Sequence, residues 1–224
     1  MLIRRSNERG QGNFGWLKAK CSFSFSRYFD PKWTGYGPLL VINQDKVDAG
    51  QGFPAHSHDN VEIMTYILEG SLQHRDSFGH QAVIKPGEVQ LMSAGKGIIH
   101  SEMNINPLVG VHLLQIWFHT DTIDVKPTYQ QKDFSREINQ GLTLVASKGA
   151  KEGSLNVNQS VNIYAGKISK GEVLDLKYGW VQVISGEITN GSETLFSGDG
   201  AGFESNQNFT VNENCHIIYF EFKT

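Results

Sequence analysis

The chain has 224 residues, 20 of them basic and 23 acidic, a formal net charge of −3 and a hydrophobic fraction of 39 %. That length holds one large β domain or two of about 110 residues. The apolar fraction excludes a wholly disordered chain, and the charge balance argues against a strongly basic nucleic-acid binder. The histidines are unevenly spread: seven of the eight lie from His56 to His119, and only His216 falls outside.

The N-terminal MLIRRSNERG has charge but no apolar stretch of signal-peptide length after it. No run of eighteen apolar residues predicts a membrane helix. Cys21 and Cys215 allow no disulfide framework, and two free thiols in a reducing cytoplasm are expected, with Cys215 as core packing in CHIIYFEF. Strand signals then follow in order: EIMTYILEG, VHLLQIWF, LTLVAS, VNIYAGKI, WVQVISG and HIIYFEF, each bounded by Gly, Asn, Asp or Ser turns. No long segment shows a 3.6-residue apolar period. The polar stretch 121–140, carrying Pro127, is the expected connection between two units and has room for a short helix.

The halves echo each other. ILEGSLQHRDSFG, KPGEVQLMSAG and HLLQIWF in the first correspond to VISGEITNGSE, FSGDGAGF and HIIYFEF in the second. Each has a Gly at a sharp turn (Gly70, Gly186), a Gly before an acidic residue (Gly87–Glu88, Gly198–Asp199) and a terminal aromatic–aliphatic strand. An internal repeat of an all-β sandwich or barrel is the reading. Where the first half has His-x-His, the second reads KGEVLDLKYG.

His56 and His58 stand two apart before a strand, and His100 and Glu102 repeat that spacing in SAGKGIIHSEMN. Side chains two apart on extended backbone share a face, so two such pairs on neighbouring strands make a compact His3Glu set. Those donors suit Fe(II), Ni, Mn, Cu, Co or Zn and leave room for substrate. Glu62 has the same parity if the strand continues, and is a ligand, a hydrogen-bond acceptor for a ligand ring or a structural carboxylate. His74, His80, His112 and His119 are assigned surface or strand-packing roles. Met64, Met92, Met103, Phe53, Ile116 and Phe118 are candidates to line an apolar cavity.

GFPAHSHDNVEIMTYILEGSLQHRDSFG, KPGEVQLMSAGKGIIHSE and HLLQIWF resemble the pirin family of two-domain cupins, over nearly the whole chain. Asp59 and Asn60 after His58 are similar to the bacterial members; eukaryotic pirins carry a basic residue and glycine there. The resemblance implies two facing antiparallel β-sandwiches, a metal-binding N-terminal cupin (1–125) and a degenerate C-terminal cupin (126–224) including the linker. It implies metal ligands His56, His58, His100 and Glu102, with Fe(II) the first choice of metal. It further implies dioxygen-dependent opening of a flavonol such as quercetin, with loss of carbon monoxide and Glu102 as the catalytic proton acceptor. A regulatory protein that responds to redox state or ligand and binds a protein partner, and a cupin acting on another small metabolite, are the alternatives. A cytoplasmic monomer without membrane or direct nucleic-acid contact is expected.

Overall fold

The computed structural model describes residues 1–223. The strands of the first half are β1 (Leu2–Arg4), β2 (Gly10–Asn13), β3 (Leu17–Cys21), β4 (Leu39–Val47), β5 (Gly52–His58), β6 (Val61–Glu69), β7 (Leu72–Asp76), β8 (Gln81–Ile84), β9 (Glu88–Ser93), β10 (Ile98–Met103), β11 (Val111–His119) and β12 (Thr128–Asp133). A single helical turn, α1 (Ser135–Ile138), separates them from β13 (Thr143–Ser147), β14 (Leu155–Asn156), β15 (Val161–Ile168), β16 (Val173–Leu176), β17 (Gly179–Thr189), β18 (Thr194–Phe196), β19 (Gly200–Phe203) and β20 (Gln207–Phe222). The protein is nearly all β and forms two cupin domains, as the strand signals and the repeat indicate.

The first cupin is a sandwich of a seven-stranded sheet, ordered β12-β9-β6-β11-β4-β3-β2, and a four-stranded sheet, β5-β10-β7-β8. The second is built on one large curled sheet, β1-β19-β17-β20-β15-β13-β14, with β16 added to β20 and β18 to β17. The sheets exchange strands across residue 125. β1 pairs with β19 of the second cupin, and β12 pairs with β9 of the first. β12 reads TYQQKD and occupies a sheet edge, which tolerates polar side chains; this is why part of the 121–140 stretch is strand although its sequence reads as a connection.

The repeat is visible in backbone angles. Gly70 and Gly186 end β6 and interrupt β17 with φ of 77° and 88°. A Cβ at either would meet a backbone carbonyl oxygen, of Gly110 or Asn214, at 2.5 Å, so both turns need glycine.

One face of each large sheet is buried against the other cupin. Ile42, Met64, Leu114, Ile116 and Phe118 pack there with Ile163, Ala165, Ile218 and Phe220. The Phe118 and Phe220 rings meet at 5.6 Å, edge to face, an arrangement that adds about 0.5–1.5 kcal/mol to simple burial. The opposite faces line the two barrel interiors. Among the described residues no helix is long and apolar enough to cross a membrane, and both cysteines are free and buried.

Candidate metal centre

β5 carries His56 and His58 on one face, and β10 runs antiparallel beside it with His100 opposite His56. The three rings converge, with centroids 4.8 Å (His56–His58), 4.5 Å (His56–His100) and 5.0 Å (His58–His100) apart. One ring nitrogen of each lies within 4.8 Å of those of the other two. The register slips between His100 and Glu102, so that Glu102 faces Phe53. Pro54 sits inside that slip and has no N–H to give the ladder, the usual occasion for a bulge. The extra residue turns Phe53 to the same side as the histidines.

The hydrogen bonds around the rings assign their tautomers. His56 Nδ1 donates to the Pro54 carbonyl at 2.7 Å, leaving Nε2 with a free lone pair. On β7, Asp76 accepts from His74 Nε2 at 3.1 Å and from His80 Nδ1 at 2.9 Å. Burial acts to raise the Asp76 carboxyl, but these bonds and the backbone N–H groups of Phe78 and His80 outweigh it and hold it below the usual range. With Nε2 of His74 protonated, its Nδ1 accepts from His100 Nδ1 at 3.5 Å. The Nε2 atoms of His58 and His100 are buried without a hydrogen-bond partner. Burial, reinforced by the neighbouring rings, pushes His58 down to about 4 and His100 down to about 3. Neutral imidazoles with unpartnered ring nitrogens facing one another are what a borderline divalent metal needs; the residues present fit such an ion.

Glu102 is 1 % exposed. Its carboxylate accepts from the Thr65 hydroxyl at 2.8 Å and from the Gln115 amide at 2.6 Å, both on the facing sheet. Burial raises its pKa, against the pull of the Thr65 bond, nearby His74 and the Gln115 bond. A Glu102 oxygen also lies within 4.8 Å of ring nitrogens of His74 and His100.

Of its three possible roles Glu62 takes the structural one and does not join the cluster, because Asn60 adopts φ of 48° and carries the chain from the four-stranded sheet to the seven-stranded one. Its carboxylate instead accepts from Ser93 Oγ at 2.6 Å and from the Asn158 backbone N–H at 3.1 Å, tying the cupins together. His74 is 0 % exposed and abuts His100; it backs the site rather than a surface, and the signal for it was His74-x-Asp76, the same two-residue spacing. His80 stacks on Tyr129 with centroids 5.4 Å apart, His112 bonds the Gln44 amide, and His119 is exposed.

A cavity of about 600 Å³ opens beside the rings. Of the proposed lining residues, only Phe53 faces it. Met64, Ile116 and Phe118 lie in the interface between cupins, and Met92 in a small cluster with Val61 and Ile63. The aromatic wall comes from Trp16, Phe25, Tyr28 and Trp117 instead.

Residues 3–118 match the family model described as Pirin, and residues 144–222 match a quercetinase C-terminal cupin domain. The chain is 39 % identical to a protein of Escherichia coli K12 named quercetin 2,3-dioxygenase, over 99 % of this chain and 98 % of that one. The crystal structure of YhhW from E. coli superposes with a TM-score of 0.94 at 37 % identity, covering 99 % of this chain and 97 % of YhhW. The bacterial pirin YhhW in complex with nickel(II) superposes with a TM-score of 0.93 at 37 % identity, covering 98 % and 97 % of the two chains. A bicupin with these matches across both halves belongs to the pirin family.

Proposed function

We propose that this chain is a metal-dependent dioxygenase that opens flavonols such as quercetin with release of carbon monoxide, with His56, His58, His100 and Glu102 holding the metal. The observation that carries the reading is the convergence of three imidazoles, two with unpartnered buried Nε2 atoms, at the wall of an aromatic cavity. The E. coli relative named quercetin 2,3-dioxygenase supports the substrate class, and the nickel complex of YhhW supports a divalent transition metal. Fe(II) is our first choice, and Ni, Mn, Cu, Co and Zn suit the same donors.

When bound, such a metal supplies Lewis acidity toward the flavonol 3-hydroxyl and redox chemistry toward dioxygen. Glu102 takes the 3-hydroxyl proton. A buried carboxyl with raised proton affinity suits that task, and Thr65 and Gln115 orient it. Trp16, Phe53 and Trp117 hold the planar rings and exclude water. The two cupins cover each other's apolar sheets, which supports a monomer, and the two free buried cysteines agree with a cytoplasmic setting.

The test is oxygen uptake and carbon monoxide release by protein reconstituted with each metal and given quercetin. Both gases should change in equal amounts with at least one metal. Metal-loaded protein inert toward quercetin would shift the reading to another small metabolite or to a regulatory role with a protein partner.

A further inference from the structure

The strand register lines up a polar band across the inner face of the seven-stranded sheet. Gln90 stands opposite Thr65, Thr65 opposite Gln115, and Gln115 opposite Asn43. Thr65 and Gln115 are occupied by Glu102. Asn43 is not, and neither is Asp45, two residues further along β4 on the same face. Both line the cavity from the large sheet, across from the histidines on the small one.

Their surroundings make them conspicuous. Asn43 is 2 % and Asp45 4 % exposed, and the Oδ1 atom of each has no hydrogen-bond partner. Leu113 and Ala19 flank Asp45 on the adjacent strands. Arg9 is the nearby cation; its two terminal nitrogens bond Gln44 and the carbonyls of Lys20 and Gly198, and its buried Nε makes no hydrogen bond to Asp45 or to any other group. A buried acceptor without a donor weakens a fold, and Glu102 beside them is fully satisfied. Burial pushes the Asp45 carboxyl up to about 7, against the pull of Arg9 and with a smaller push from Glu102.

The geometry points to Asn43 and Asp45 as the recognition site for hydroxyl groups on the ligand edge that faces the large sheet, which makes the ligand an aromatic compound with at least two hydroxyls there. This rests on the reading that an aromatic ligand occupies the cavity. Two acceptors at i and i+2 on one strand stand about 6.5–7 Å apart at their Cα atoms, a span that a dihydroxylated ring fills. An unsubstituted ring would leave both acceptors buried and dry, so the site rejects it.

The experiment is calorimetric binding to metal-loaded protein under nitrogen, where turnover cannot interfere. Two probe pairs are used: quercetin and the same flavonol lacking its two B-ring hydroxyls, and 2,3-dihydroxynaphthalene and naphthalene. The native protein should bind the hydroxylated member of each pair about tenfold more tightly. Asn43→Leu and Asp45→Leu should each reduce that preference to about twofold or less, with metal content unchanged. Should Asp45→Leu fail to fold beside Arg9, Asp45→Asn keeps volume and one acceptor and should lower the preference about threefold. A preference on the naphthalene pair that the native protein shows and the variants lose, with neither flavonol bound by any of them, would sink the flavonol reading and leave this inference standing. A preference undiminished in the variants, no preference in the native protein, or no binding of either pair would overturn it.

Discussion

The two barrel interiors are built on the same strand positions and hold opposite chemistry. In the first, the row across the large sheet is Asn43, Gln115, Thr65, Gln90 and, from β12, Gln131. In the second, the corresponding row is Tyr164, Tyr219, Val181, Ala201 and, from β1, Ile3. The second row packs into a continuous apolar cluster with Phe203, Phe209 and Ile217. The first surrounds a buried carboxylate and borders a cavity. One backbone thus supports either a filled core or a polar site, and the choice is made by a handful of inward residues. The second barrel keeps stability while the first carries groups that cost it.

Four experiments would break or sharpen this contrast. The largest effect is expected at the histidines: His58→Ala should lower metal affinity by about a hundredfold or more and abolish oxygen uptake, while circular dichroism stays native because the second cupin and the interface are untouched. A variant with full metal content would remove His58 from the ligand set. Glu102→Gln comes next. It keeps the shape and the Gln115 neighbourhood, so metal content should survive while turnover falls about a hundredfold or more; unchanged kinetics would take Glu102 out of the proton transfer.

Putting a first-barrel residue into the second tests the other side. Tyr219 is 4 % exposed and donates to the Lys177 carbonyl at 2.8 Å. Tyr219→Gln should cost about 2–4 kcal/mol through lost packing and a buried amide, measured by denaturant unfolding, and should confer no second metal. A neutral result would mean that the second interior is not filled by packing. The smallest effect concerns what the barrels share. Gly70→Ala and Gly186→Ala should each cost about 1–3 kcal/mol at positive φ, with nearly equal falls in melting temperature. Clearly unequal falls would separate the two turns.

The positions of His56, His58, His100 and Glu102 could be read directly from the chain, because a period of two is a local property of extended backbone and each pair lies within one strand. The same parity leaves Glu62 open among three roles; one residue of positive φ, Asn60, ends the extended run and moves the next strand to another sheet, which selects the structural role. His74 and Asp76 have the same two-residue spacing, and their place behind His100 follows only from the pairing of β7 with β10. The polar residues Asn43 and Asp45, alternating with Ile42 and Gln44 on a strand whose ends are Leu39 and Val47, were visible but had no evident purpose until the cavity showed what they face.

By itself, then, the amino-acid order determined the all-β class, the repeat, the asymmetry between its halves and the candidate ligand pairs, since each depends on alternation, turn residues and composition over a few neighbours. Only the tertiary structure decided which aromatic residues line the cavity, that Glu62 joins the cupins, that His74 and Asp76 stand behind His100, and that Thr65 and Gln115 grip Glu102 from another sheet. Those relations join residues 13 to 96 positions apart in the chain, and their proximity follows from sheet register and the facing of two layers, which no local period encodes.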